Sequence, residues 1–327
     1  MNLDFQIKIL LLSFTITVLL AIIIIPILKK FKIGQNERDD GPKSHIKKQG
    51  TPTMGGIIMM ISIIMCSIGG FLYYKGDETT VAQNILLLSI VTIGFGLVGF
   101  VDDFKKLILK NTKGLRPIFK IIGLLLIAGG FAIYLIQDLK IGTDIIIPFF
   151  NKSITFPTLI YIAFSIFVML ATTNAINLTD GIDGLATSVS AIILTTLTIV
   201  AIILDVKEVV VFGSILVGTC LGFLIFNLHK AKVFMGDLGS LMLGGAIAAI
   251  SVYLKMPLLL LLLAIIPVIE TISVIAQVIF YKITGKRILK MAPLHHHFEL
   301  SGWNENKIVS IFCIITLMAC ILGLYSI

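Results

Sequence analysis

Residues 84–106 read NILLLSIVTIGFGLVGFVDDFKK: an uncharged run over 84–101, then two adjacent carboxylates, Asp102 and Asp103, then Phe104 and two lysines. A run of this length and character crosses a bilayer as a helix. It ends as spanning segments end, in charge. Neighbouring Asp side chains repel each other, so the pair is costly unless cations or a phosphate-bound metal offset it. The plain reading is a solvated helix end whose flanking lysines, at 105, 106, 110 and 113, balance the charge. The sharper reading is a site for a magnesium-bound phosphate on a substrate with an apolar tail. What separates the two is whether other polar islands fall on the same side of the membrane.

Composition supports a membrane setting. The chain has 327 residues, of which 57% are hydrophobic and 13% charged, and its mean hydropathy is +1.05. Soluble domains carry about 25% charged residues, so most of this chain lies in lipid. The formal net charge is +8. Lys and Arg accumulate in the cytoplasmic loops of membrane proteins, so a basic balance does not point to nucleic acid. Cys66, Cys220, Cys313 and Cys320 all fall inside apolar runs and read as small core hydrophobes, neither a disulfide framework nor a metal motif. The first apolar stretch is too long for a signal-peptide core and lacks a small-residue cleavage site.

Apolar stretches long enough to span occur at 7–28, 54–73, 84–101, 118–136, 157–173, 185–204, 209–226, 241–255, 257–281 and 308–325. The fold class is therefore an all-α polytopic membrane protein of about ten transmembrane helices, in one integral membrane domain over 1–327. The split near Lys255-Met256-Pro257 is required because a 41-residue span is too long, and Pro257 suits the first turn of a new helix. Residues 29–50 carry seven Lys/Arg, 102–120 six, 227–240 two and 282–307 five, together 20 of the 26. If the spans are right, these four segments share one face, which is then cytoplasmic and leaves both termini outside. The connection at 174–184 falls on the same face without a single Lys or Arg. Among the outer connections only 137–156 is long, and its segments 145–149 and 153–156 read as a small hairpin.

Five islands line the basic face. The first ends Lys48-Gln49-Gly50-Thr51-Pro52-Thr53-Met54-Gly55-Gly56, a tight turn into a packed helix that also sets Lys48 within reach of a phosphate or nucleotide. The second is the Asp pair with its lysines. The third, Asn174-Ala175-Ile176-Asn177-Leu178-Thr179-Asp180-Gly181-Ile182-Asp183-Gly184, offers amides and carboxylates without positive charge, which suits a neutral base, a sugar or hydrated Mg²⁺. A helix cap needs only one such residue, and here there are several. The fourth holds Asn227 and then Phe234-Met235-Gly236-Asp237-Leu238-Gly239. There Asp237, between glycines and open to solvent, suits Mg²⁺, and Phe234 suits stacking on a flat base; an ordinary N-cap is the competing reading. The fifth is Pro293-Leu294-His295-His296-His297-Phe298-Glu299. Consecutive residues of a regular helix or strand cannot all face one tetrahedral metal, and neither Cys nor paired carboxylates stand nearby in sequence. Imidazoles donating to phosphate oxygens fit better than a zinc cage.

These five motifs, in this order and on one face, resemble the phospho-N-acetylmuramoyl-pentapeptide-transferase family of bacterial membrane enzymes over essentially the whole chain. The wider group of polyprenyl-phosphate hexosamine-1-phosphate transferases shares the Asp motifs, whereas the triple-His loop resembles this branch. The resemblance implies that undecaprenyl phosphate attacks UDP-MurNAc-pentapeptide, giving the first lipid-linked peptidoglycan precursor and UMP with Mg²⁺ as cofactor. It implies Asp237 as the Mg²⁺ ligand, Asp102 and Asp103 at the lipid phosphate, and His295 and His296 at the diphosphate or sugar. It places Phe234 on uracil, with Lys48, Asn174, Asn177, Asp180, Asp183, Asn227 and His297 also toward substrate, and Lys106, Lys110 and Lys120 on phosphates. It also implies a site on the cytoplasmic face of the bacterial plasma membrane and a homodimer. Arg116-Pro117, after Gly114, departs from the more polar, proline-free run expected there.

Two rival functions are weaker on the residues. A nucleotide or cation transporter holds polar groups near the bilayer midplane. Here the spans are nearly free of charge, and one carboxylate, Glu270, makes a poor pathway. A sibling transferase acting on UDP-N-acetylglucosamine is distinguished by the His triad.

Overall fold

The computed structural model describes residues 3–30, 50–107, 114–150 and 152–327. Among these, ten helices are long and apolar enough to cross a membrane. They are α1 (Leu3–Lys30), α2 (Gly56–Tyr74), α3 (Thr79–Leu107), α4 (Pro117–Gln137), α5 (Thr158–Thr179), α6 (Leu185–Ile203), α7 (Lys207–Asn227), α8 (Gly236–Tyr253) and α9 (Ile265–Thr284), followed by a short α10 (Leu294–Glu299) and a last span, α11 (Glu305–Tyr325). The hairpin expected in the long outer connection is present, as antiparallel β1 (Asp144–Ile147) and β2 (Lys152–Thr155), with Asp144 opposite Thr155 and Ile147 opposite Lys152.

Helix α8 is the most buried of the ten spans, and α3 and α5 pack on it most extensively. Lipid supplies no hydrophobic drive between helices, so close backbone approach has to hold them. Glycine allows it. A Cβ on Gly99 of α3 would overlap the Asp237 carbonyl of α8, and one on Gly56 of α2 would overlap the Gly239 amide. A Cβ on Gly244 of α8 would lie 2.6 Å from Cα of Thr173 in α5. Three helices are thereby seated against the first half of α8.

The two ends of the bundle differ in chemistry. At one end Lys207 pairs with Glu78 at 2.9 Å, Lys255 with Asp144 at 2.8 Å, and Glu208 accepts from Asn84 and from Tyr253. The described residues of the polar islands gather at the other end.

Two expectations need correction. The Asp pair does not end a helix: α3 runs on to Leu107, and Asp102 and Asp103 are buried within it. Nor is 257–281 one continuous span. A 3₁₀ turn (Pro257–Leu259) and a helical turn (Leu260–Leu263) stop at Ala264, whose ψ of 33° leaves the helical basin, and α9 starts afresh. The cause is Pro267. Inside an unbroken helix its ring would meet the carbonyl of residue 263 and its missing N–H would leave a bond unmade, whereas in a first turn it is tolerated.

Candidate active site

The Asp pair, near the C-terminal end of α3, meets Asp237 in the first turn of α8. Lys106 Nζ lies 2.7 Å from Asp102 Oδ2 and 3.1 Å from Asp237 Oδ2. Lys120, one turn into α4, reaches the same pair at 3.9 and 3.2 Å. Pro117 opens α4, and this start places Lys120 where its ammonium reaches the cluster. On its other oxygen Asp237 accepts from Asn177 Nδ2 at 2.9 Å, and Asn177 also donates to Ser240. Asp103 Oδ2 accepts the Leu238 amide at 3.0 Å. Asp237 is therefore crowded, which corrects the expectation of an open carboxylate between glycines. It is no N-cap either, since α8 has no side-chain cap bond.

Two glycines in the left-handed region make this approach possible. Gly236, at φ +76°, leads the chain into α8, and a Cβ there would stand 2.6 Å from Asp103 Oδ2. Gly114, at φ +63°, lies where a Cβ would overlap Asp102 Oδ1, and the next amide, Leu115 N, donates to that oxygen at 2.6 Å. The first island props the turn from behind. Phe234 N donates to Pro52 O at 2.8 Å, Gly55 N to Phe234 O at 2.8 Å and Gly56 N to Met235 O at 2.9 Å. Phe234 is half-buried at this rim.

The 180–184 loop closes a third side. Burial, and then the carboxylates of Asp237, Asp103 and Asp183, push the Asp180 carboxyl well above the usual range. Asp183 is buried and accepts from Ala231 N at 3.1 Å, with His229 Nδ1 at 3.2 Å, while its own amide donates to Glu305 of α11 at 3.3 Å. Asp183, His229 and Glu305 have the composition of a metal site, their ligand atoms lying within 4.8 Å of one another. Their bonds tie the 229–231 segment and α11 to the loop. Buried Asn227 accepts from Thr187 and donates to Val233 O, a tether of the same kind. Asn174 is exposed and donates to Leu170 O in its own helix.

The triple-His segment forms α10, and each ring has a different neighbour. His295 is fully buried, with Nδ1 3.2 Å from Glu270 Oε1. His296 Nδ1 lies 2.7 Å from Glu299 Oε2. His297 Nδ1 accepts from Lys290 N at 3.1 Å. Carboxylates thus accompany two of the three rings, one from α9 and one from α10 itself. Phe298 stacks on Trp303 at 4.6 Å between centroids, and Lys307 lies over Trp303, which fastens α10 to α11.

Comparison with known proteins shows the family. Residues 85–255 match Glycosyl transferase family 4, and residues 48–58 match phospho-N-acetylmuramoyl-pentapeptide-transferase signature 1. Phospho-N-acetylmuramoyl-pentapeptide-transferase of Acetivibrio thermocellus is 46% identical, covering 100% of this chain and 98% of its own. The transferase of that name from Clostridium kluyveri is 48% identical over 97% of each chain, and that of Clostridium perfringens strain 13 is 50% identical over 96% of each. The chain belongs to the phospho-N-acetylmuramoyl-pentapeptide-transferase family.

For a member of this family the structure brings Asp102, Asp103, Asp237, Asn177, Lys106 and Lys120 into one cluster, with Asp180 within its electrostatic reach. It sets Asn227 and Asp183 behind the cluster as tethers and His297 against the backbone of its own loop. Lys48 and Lys110 lie outside the described residues. Sequence reasoning missed Ser240, Glu270, Glu299 and Glu305. Of these Glu299 stood in the fifth motif, and Glu270 was the one carboxylate inside a predicted span.

Proposed function

We propose the following course for the reaction of this transferase. Family membership makes it an enzyme of peptidoglycan precursor synthesis, one that moves phospho-MurNAc-pentapeptide from its UDP carrier to undecaprenyl phosphate and releases UMP. The observation that carries the mechanism is the meeting of three carboxylates and two ammonium groups at the end of a spanning bundle. Phosphoryl transfer needs positioning and charge neutralisation more than covalent help from the protein.

The residues fit Mg²⁺. Asp237, Asp102 and Asp103 are all-oxygen donors suited to a hard cation, and their convergence, with Lys106 and Lys120 already drawn to it, is a concentration of charge that a cation relieves. Asp237 would hold the ion, with the Asp pair beside it. When bound, Mg²⁺ neutralises charge on the transferring phosphate. Lys106 and Lys120, which balance the carboxylates, are placed to turn to the phosphates of the two substrates. Asp102 orients the lipid phosphate, whose second pKa of about 6 leaves a base little to remove at neutral pH. Phe234 offers a ring to uracil, and His295 and His296 serve the diphosphate or sugar side. The cluster faces the cytoplasm on this reading, because the described Lys106, Lys120, Lys230 and Lys232 share its end of the bundle and basic residues favour that side.

Attack is direct, with no sugar-phosphate on the enzyme. One displacement at phosphorus inverts configuration and two retain it. A UDP-MurNAc-pentapeptide made chiral at the transferred phosphorus, given with Mg²⁺ and polyprenyl phosphate to the purified protein, is expected to yield inverted product. Retention, or a sugar-phosphate trapped on Asp102 or Asp103 without lipid, rules the direct route out. UDP-N-acetylglucosamine in the same assay is expected to give no product.

A further inference from the structure

Glu270 lies in α9, a spanning helix, with no exposure at all. A carboxylate within a membrane span is expensive, and where one persists it is paired and functional. Its neighbour is His295, also fully buried. Glu270 Oε1 accepts the His295 backbone N–H at 3.1 Å and lies 3.2 Å from the ring's Nδ1. On the far side the ring rests on Gly181, where any Cβ would overlap Nε2. The imidazole is thus clamped between a carboxylate and a glycine backbone. Neither ring nitrogen has a hydrogen-bond partner among the described residues, nor has Glu270 Oε2, so the carboxylate meets the ring by proximity, and the ring sits beside the loop that carries Asp180.

We propose that Glu270 is a positioning residue for the transfer reaction: its carboxylate, beside Nδ1, holds the His295 imidazole against the 180–184 loop and anchors the start of α10. The proposal rests on the reading that His295 serves the diphosphate or sugar side. Two functions of the carboxylate are separable. Holding the His295 amide needs only an oxygen acceptor, which glutamine also supplies. Both contacts run to Oε1, so glutamine keeps that acceptor and removes only the negative charge that faces Nδ1. Glu270→Gln therefore preserves the loop while removing the charge that faces the ring. Gly181→Ala disturbs the same ring from the opposite side, at a residue whose φ is not in the left-handed region.

The test is a double-mutant cycle on the purified full-length protein, with kcat and KM for both substrates and the thermal midpoint measured for each variant. Glu270→Gln is expected to lower kcat roughly 10- to 100-fold, the range seen when a carboxylate that orients a functional histidine is altered, with KM within about threefold and the midpoint unchanged. In a His295→Asn background the same change is expected to cost less than about twofold, because the ring it orients is gone. Gly181→Ala is expected to behave likewise, and it carries the test if Glu270→Gln accumulates poorly. Full kcat in Glu270→Gln while His295→Asn is impaired overturns the positioning role alone, as do losses that multiply in the double variant. Full activity of His295→Asn overturns the reading of His295 and the proposal with it.

Discussion

Asp237 faces two ammonium groups and one amide while two further carboxylates stand behind it, so its charge is the hub of the local field. Asp237→Asn keeps the shape and the amide contact but removes the charge. It should lower kcat about 10²- to 10³-fold, about 3–4 kcal/mol of transition-state stabilisation, with loss of the normal Mg²⁺ response. Near-normal turnover with an unchanged Mg²⁺ titration sinks the assignment. Asp180 gives a prediction with a sign. Its carboxyl is raised in the folded protein, first by burial and then by the Asp237, Asp103 and Asp183 carboxylates, so the folded state binds more protons than the unfolded one. Its contribution to stability is therefore complete below the ordinary carboxylate range, near 3.9, and is lost as pH rises toward the folded value. The thermal midpoint without Mg²⁺ should fall more steeply with pH in the wild type than in Asp180→Asn, and added Mg²⁺ should restore most at the higher pH. Equal slopes in the two proteins refute it. At this scale the sequence displayed Asp102, Asp103 and Asp237 because each breaks an apolar pattern. It hid Glu270 as a partner of His295 because that pairing joins residues 25 apart across a helix and a loop.

At the scale of elements, the spans were legible because length and hydropathy alone set them, and each has its spanning helix in the structure, the ninth starting at Ile265 and not at 257. Their ends were less so. α3 continues past the Asp pair because Lys106, Lys120 and two backbone amides satisfy its carboxylates, a compensation that appears only once α4 and α8 are in place. The break at Ala264 was invisible within a leucine run, although Pro267 carried its cause. Glycines in spans were readable as close-approach sites in general, but which helix approaches which was not. Gly99→Ala tests the tightest of these contacts, since its Cβ would press on α8 backbone at Asp237, which cannot yield as a side-chain tip can. It should cost about 1–3 kcal/mol in stability and lower activity through Asp237. Gly130→Ala has nothing within 4 Å of its Cβ and should leave activity intact while stabilising α4 by up to about 1 kcal/mol. Parallel thermal melts and turnover of the two variants decide the matter, and equal behaviour contradicts the packing argument.

The whole molecule adds what no segment holds, a sidedness that must be common to all the loops of the site. Charge counting orients four basic segments but leaves 174–184, which has no Lys or Arg, without an anchor. The structure supplies the missing link. The expected connection at 174–184 is in fact the C-terminal end of α5 followed by the 180–184 loop. Asn177 at that helix end bonds Asp237, His295 rests on Gly181, and Asp183 holds Ala231, so this neutral segment shares an end with the start of α8, α10 and the 229–231 segment. If the basic end is cytoplasmic, the neutral segment is too. Single cysteines in a background lacking Cys66, Cys220, Cys313 and Cys320 test this in intact cells. Leu178→Cys, Lys232→Cys and Lys286→Cys should resist a membrane-impermeant thiol reagent until the cells are opened. Asp77→Cys and Asp205→Cys, exposed at the opposite end, should react at once. Labelling of position 178 from outside with position 232 protected would break the shared end that the Asn177–Asp237 bond requires. Labelling of both, with 77 and 205 protected, would instead invert the whole bundle and place transfer on the outer face. The first outcome contradicts the assembled site and the second only its orientation.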